Sequence, residues 1–215
     1  MKTQLVRSNG YSISQAIRLL KLGEPLVFPT DTVYGLGALI DEAAVAKLYV
    51  VKGRAFDKPI AALIARPQAL AQVADLDQLS PDRRALCELL IAHFWPGGLT
   101  LVLPAQPTVP AKMISGGSTV GVRMPNHPIA LTILEQCGGA LAVTSANQSG
   151  HPSPNSAEAA LASLDGRLEM ILDGGRQPMS LESSVLDLSS EHPRLLRAGA
   201  VTAEELRAAG VLLAI

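Results

Sequence analysis

The apolar residues of this 215-residue chain come in short bursts separated by helix-forming stretches, and that rhythm fixes its fold class. Runs at 26–28, 34–39, 60–64, 99–103, 120–123, 141–144, 170–172, 184–188 and 194–197 have strand length and strand composition. Between them lie helix signals. Ser12 is expected to cap a helix, with Gln15 completing a capping box, an apolar stripe of Ile13, Ala16, Ile17 and Leu20, and Gly23 as the stop. Asp41 caps a second helix carrying Val45, Leu48 and Tyr49 that ends just before Lys52-Gly53-Arg54. Ser80-Pro81 opens a third that runs to about Phe94, where Trp95-Pro96-Gly97-Gly98 breaks it. Further helices are expected around 130–136 and 157–164, and a last one starts at Thr202, boxed by Glu205. The alternation predicts one α/β domain over residues 1–215, an open twisted mixed sheet with flanking helices and antiparallel pairing near the C-terminus.

Composition narrows the function classes. With 48% hydrophobic and 17% charged residues the chain is a compact globular protein, and a net charge of -1 gives no global attraction to nucleic acid. No apolar run approaches the roughly 20 residues of a membrane span, and no signal pattern opens the chain, so a cytoplasmic protein is expected. Cys87 and Cys137 lack metal-ligand spacing and read as reduced core thiols; the four histidines are scattered singly, so no metal site is expected.

The polar segments are more telling. Residues 29–37, Pro-Thr-Asp-Thr-Val-Tyr-Gly-Leu-Gly, follow a strand, as does Thr144-Ser145-Ala146-Asn147. Polar residues just past strand ends converge on a ligand crevice in such sheets. Lys52, Arg54 and Lys58 share a parity, so on an extended segment all three would face one polyanion. Usual phosphate machinery is missing: there is no P-loop, and Gly35-x-Gly37 lacks the third glycine of a dinucleotide fingerprint. Gly116-Gly117-Ser118-Thr119-Val120 also fails as a nucleophile elbow at its last position.

Eight motifs in consistent order then carry a resemblance. They are the 29–37 segment, Lys-Gly-Arg at 52–54, Lys-Pro at 58–59, Trp-Pro-Gly-Gly-Leu-Thr-Leu-Val at 95–102, Val-Arg-Met-Pro at 122–125, Ser-Ala-Asn at 145–147, Glu-Ser-Ser-Val at 182–185 and Leu-Arg-Ala-Gly-Ala at 196–200. Together they closely resemble the YrdC-like family of threonylcarbamoyl-adenylate synthases. The resemblance implies a basic concave cleft in the sheet and an enzyme joining L-threonine, bicarbonate or CO2, and ATP with Mg2+ into threonylcarbamoyl-AMP and pyrophosphate. A downstream tRNA threonylcarbamoyltransferase would use the product on adenosine 37 of tRNA. The chain looks like the short, single-domain form.

Residue by residue, the resemblance puts Lys52 and Arg54 on the ATP phosphates as catalytic cations, with Lys58, Thr119, Ser145, Asn147, Ser153 and Arg197 around the nucleotide. Arg123 would grip the threonine carboxylate, a task suited to the guanidinium fork. Thr32, Tyr34 and Ser183 or Ser184 match the amino-acid pocket, and Thr30 and Asp31 belong to the same motif. Two departures stand out: Leu63 occupies a place where many relatives have histidine, and Ser184 replaces the usual threonine. One rival reading is a paralogue that binds RNA or nucleotide without making the adenylate, since cleft charge alone does not separate an ATP site from a polyanion groove. Another is the carbamoyl-transfer domain of hydrogenase-maturation proteins, which accompanies a zinc-finger domain for which this chain has too few cysteines.

Overall fold

The computed structural model describes residues 2–177 and 181–213. In chain order the elements are β1 (Gln4–Arg7), α1 (Gly10–Lys21), β2 (Leu26–Phe28), β3 (Gly35–Ala38), α2 (Glu42–Lys52), β4 (Ala61–Ile64), α3 (Pro81–Phe94), β5 (Leu99–Pro104), β6 (Thr119–Arg123), α4 (Pro128–Gln136), β7 (Ala140–Ser145), α5 (Ala157–Leu164), β8 (Met170–Asp173), β9 (Ser184–Asp187), β10 (Arg194–Arg197) and α6 (Ala203–Ala208). Two short 3-10 turns, Pro67–Gln72 and Leu76–Gln78, link β4 to α3. The ten strands form one mixed sheet in the order β1-β8-β2-β3-β7-β4-β6-β5-β9-β10. Its C-terminal pair, β9 and β10, is antiparallel as expected.

Two cores hold the helices to the sheet. On one face Ala16 and Leu20 of α1 and Ala130, Ile133 and Leu134 of α4 pack with Phe28, Leu63, Leu141 and Val143. On the other, Val45 and Leu48 of α2, Cys87 and Leu90 of α3, Ala157 and Ala160 of α5 and Leu206 of α6 pack with Leu36, Ala62, Leu101, Val120 and Leu186. Side chains alternate between faces along a strand, so β2, β4, β7 and β8 contribute to both layers. Apolar burial on this scale, at about 25 cal/mol per Å², is the main driving force for folding.

Helix ends show where local chemistry was read correctly and where it was not. Ser80, Ser156 and Thr202 cap α3, α5 and α6, and Thr202 and Glu205 form the expected box. The first helix starts earlier than expected. Asn9 is its cap, accepting from the amides of Tyr11 and Ser12, while the Ser12 hydroxyl accepts from the Asn9 amide at 2.9 Å. Ser12 is thus the far side of the box, and Gln15 instead donates to the Tyr11 hydroxyl at 3.2 Å. An amide cap four residues before the apolar stripe does the same work as the serine would have done.

Lys52 is the last residue of α2, so the basic segment is not extended as its parity suggested. Gly53 adopts φ 58° and ψ 39°, its amide donating to Val50 and that of Arg54 to Tyr49. This is a Schellman ending, which glycine permits without a Cβ penalty. It turns Lys52 and Arg54 in different directions.

Candidate active site

A cavity of about 560 Å³ opens on the sheet face that α1 and α4 leave partly uncovered. Its floor is made of alternate strand residues: Ala61 and Leu63 of β4, Thr100 and Val102 of β5, Thr119, Gly121 and Arg123 of β6, Val143 and Ser145 of β7, and Val185 of β9. The intervening Ala62, Leu101, Val120 and Val122, with Ala142 just before the β7 floor residues and Leu186 just after Val185, belong to the opposite core. Small residues keep the floor low; a Cβ on Gly35 would come 2.8 Å from Val143 Cγ1.

At one end sits Arg123, buried to 5% exposure at the C-terminal end of β6. Its Nε donates to the Gly97 carbonyl and one terminal nitrogen to Thr32 Oγ1, each at 2.8 Å, while the other pairs with Asp31. Three of its five N–H groups are thereby occupied, leaving one on each terminal nitrogen. Burial lowers its pKa, and the Asp31 carboxylate counters by holding the charge in place. The turn after α3 explains the geometry: Trp95 Nε1 donates to Leu99 O at 2.7 Å and the Gly97 amide to Met124 O at 2.8 Å, locking Gly97 beside the guanidinium. The Thr30 hydroxyl donates to Val33 O at 2.6 Å and lies 3.2 Å from Thr32 Oγ1, so the 29–34 turn is tied before any ligand arrives.

The neighbouring part of the lining is basic, near enough for Arg197 to help depress the Arg123 pKa. Arg54 leans on its own loop, Nε donating to Lys58 O at 3.2 Å and a terminal nitrogen to Pro59 O at 2.9 Å, with Lys58 exposed beside it. Arg197, at the end of β10, donates from Nε to Ser183 O at 3.0 Å and from a terminal nitrogen to Ser183 Oγ at 3.1 Å, and also pairs with Glu182. Ser183 Oγ in turn lies 2.8 Å from Thr100 Oγ1.

Lys52, unlike Arg54 and Lys58, is almost sealed from solvent, with only 2% exposure. Its ammonium reaches Ser145 O at 2.5 Å, Asn147 O at 2.8 Å, Asn147 Oδ1 at 3.2 Å and Ser145 Oγ at 3.4 Å. The Lys52 carbonyl also accepts from the Ser149 amide at 2.9 Å, so one residue clamps the 145–149 turn twice. Burial and the neighbouring Arg54 push its pKa down to about 7, against an upward pull from Glu182. The oxygens around it ask for donors and so favour the charged form.

One residue expected in the amino-acid pocket faces elsewhere. Ser184 belongs to the opposite face, where its hydroxyl donates to Val201 O and accepts from the Val201 amide at 3.0 Å. Parity along β9 selects Ser183 instead. Tyr34 borders the cavity, yet it packs in the core with Leu36 and Ala38, and its hydroxyl donates to Gly175 O at 2.6 Å. Burial raises its pKa to about 12. The remaining residues expected at the site, Thr30, Thr32, Lys52, Arg54, Lys58, Thr119, Arg123, Ser145, Asn147, Ser153, Ser183 and Arg197, all line this cavity.

Thr100, His151 and Glu182 line it as well and had been given no role. The polar residue in an otherwise apolar strand was a legible signal for Thr100. Glu182 stood inside a quoted motif, but a carboxylate has no evident use beside phosphates, so nothing pointed to it. His151 sits on a loop where sequence period carries no information.

Gly199 fixes the basic end, because a Cβ there would meet the Glu182 carbonyl oxygen at 2.3 Å and the Ser183 backbone at 2.7 Å. Backbone cannot step aside as a flexible side chain can. Gly199→Ala will therefore lose about 1–3 kcal/mol, read as a lower urea midpoint, with Arg197 displaced from the cavity.

Comparison with known proteins adds an independent line. The Sua5/YciO/YrdC family, described as "Telomere recombination", matches residues 18–199. A curated Bacillus subtilis protein named threonylcarbamoyl-AMP synthase is 41% identical over 96% of the chain, and a Vibrio vulnificus protein of the same name is 31% identical over 87% of the chain and 98% of its own length. The solved structure of P. abyssi Sua5 complexed with L-threonine superposes with a TM-score of 0.90 at 38% identity, covering 100% of this chain and 63% of that one. The chain spans 58% of the length of the B. subtilis relative.

Proposed function

The chain belongs to the Sua5/YciO/YrdC family, and from that premise we propose that it makes threonylcarbamoyl-AMP from L-threonine, bicarbonate or CO2, and ATP. One observation carries the reading: a forked, anchored guanidinium and a group of phosphate-ready cations share one cavity floor. In this reading the two spare N–H groups of Arg123 take the amino acid's carboxylate, with Thr32 and Ser183 beside it. Leu63, in register with Arg123 across β4 and β6, supplies apolar surface suited to the threonine methyl.

The deprotonated amine adds to CO2 with loss of a proton. An oxygen of the resulting carbamate then attacks the α-phosphorus, and the bond to pyrophosphate breaks with its electron pair. No protein nucleophile is needed; alignment and charge neutralisation lower the barrier. Arg54, Lys58 and Arg197 neutralise the departing pyrophosphate, while Thr119, Ser145, Asn147 and Ser153 orient the nucleotide. Lys52 works from behind, holding the Ser145–Asn147 turn.

Magnesium comes with ATP as part of the substrate. Among the described residues no group of three or more His, Cys, Asp or Glu could hold a metal ion, and the cavity's carboxylate, Glu182, is engaged by Arg197 and Ser153. This leaves phosphate oxygens and water as the ligands suited to Mg2+. We further place residues 1–215 as one catalytic domain in the cytoplasm, passing its product to a tRNA threonylcarbamoyltransferase, with any affinity for tRNA confined to the cavity rim. A polyanion groove alone would have no use for the Arg123 recess, which disfavours the paralogue that only binds RNA.

Incubating the purified chain with ATP, Mg2+, bicarbonate and L-threonine should release pyrophosphate and yield the mixed anhydride by mass spectrometry. Pyrophosphate release no greater than in the threonine-free control would refute the synthase reading.

A further inference from the structure

Among the described residues one carboxylate, Glu182, lines a cavity that also holds Lys52, Arg54, Lys58, Arg123 and Arg197. It accepts from the Ser153 hydroxyl with one oxygen and pairs with Arg197 through the other. Its side chain is still 34% exposed, so water and solutes reach it. Its backbone is pinned, the carbonyl accepting from the Ala200 amide at 2.9 Å with Gly199 packed against it. The carboxylate thus occupies two of the donors that a phosphate at this end would use.

We propose that Glu182 determines nucleotide specificity as an internal anion, holding Ser153 and Arg197 against a lone phosphate. The inference rests on the nucleotide reading above. A lone phosphate that enters gains those two donors and must also face the carboxylate it evicts. A triphosphate reaches Arg54 and Lys58 as well and can seat its phosphates there without evicting the carboxylate, so the obstacle falls hardest on AMP and on small anions. Discrimination then comes from a penalty on the wrong ligand as much as from contacts to the right one. Once pyrophosphate has left, Glu182 still holds both donors and lowers the affinity for what remains.

Removing the charge separates this role from a merely structural one by sign. A structural bridge, once broken, would leave Ser153 and Arg197 unanchored and weaken every nucleotide. Glu182→Gln keeps the size and removes the charge: its amide donates to Ser153, freeing that hydroxyl to donate to a ligand, and its carbonyl holds Arg197 only as a neutral acceptor that a phosphate readily displaces. Calorimetric titration of the full chain with AMP, with inorganic tripolyphosphate and with ATP plus Mg2+ is the test. Glu182→Gln is expected to bind AMP about tenfold tighter and ATP only slightly tighter, as when the donors stand free in about one wild-type molecule in ten. Glu182→Ala, which needs no new hydrogen bond, carries the same expectation should the glutamine not fold. Unchanged or weaker AMP binding in a folded variant overturns the inference, as does a loss of ATP binding seen only with Mg2+, which would make Glu182 a metal ligand. A wild-type chain that binds neither ATP nor tripolyphosphate would instead remove the nucleotide reading itself.

Discussion

Lys52→Met will unfold at a clearly lower urea concentration than the wild-type chain, with a loss of about 3 kcal/mol. The side chain is nearly the same length, so packing changes little; what disappears is the donor shared by Ser145 O, Asn147 O and Asn147 Oδ1. Each buried acceptor left without a partner costs about 1–3 kcal/mol, and water entering from the cavity recovers part of that. Pyrophosphate release will fall by at least about 100-fold, because the turn presenting Ser145 and Asn147 loses its clamp. Stability and activity therefore fall together, unlike the effect of removing an exposed cation. A variant with the wild-type urea midpoint would show that Lys52 does not hold the turn.

The same lysine gives a pH dependence. Its folded pKa of about 7 lies below the ordinary 10.5, so between those values the unfolded chain binds more protons than the folded one. Stability assigned to Lys52 must then rise with pH across that window and be least below pH 7. The difference in melting temperature between wild type and Lys52→Met, followed from pH 7 to 10, isolates it: the gap should widen as pH rises.

Arg123→Ala has the second large effect. It strands Asp31, a carboxylate whose side chain is 13% exposed, and breaking one side of a buried pair costs about 3–5 kcal/mol. It also removes the proposed carboxylate fork, so the KM for threonine should rise by at least about 100-fold while the KM for ATP moves little. Arg123→Met combined with Asp31→Asn separates the two losses. That pair should regain most of the stability, seen in the urea midpoint, and none of the threonine use. Recovery of threonine-dependent turnover in the double variant would take Arg123 out of the amino-acid recess.

The order of elements was largely legible because strand and helix signals are local. β2, α3, α5 and β10 have the extents read from their apolar bursts and caps. β1 was missed: it is a four-residue edge strand, mostly exposed, and has no alternating apolar pattern to read. At the site, residue types and motif positions were enough to gather one cavity, but directions were not. Lys52 turned inward because a Schellman ending, not an extended segment, joins it to Arg54. Parity within a strand would have chosen Ser183 over Ser184 and set Tyr34 with Leu36, since both follow from period two alone. The pairing of Arg123 with Asp31 joins residues 92 positions apart, and no local rule reports it.

Along β4, β5, β6 and β9 a residue that lines the cavity is followed by one that meets the core. Inserting or deleting one residue in such a strand would exchange the two sets, sending Leu101 or Val122 into solvent and Thr100 or Arg123 into oil. A point replacement at Ala61, Leu63 or Gly121, by contrast, reshapes the cavity and leaves the other layer untouched. Chains of this architecture are thus free to alter what they accept one side chain at a time, while the lengths of these four strands are held fixed by the need to keep oil and water apart.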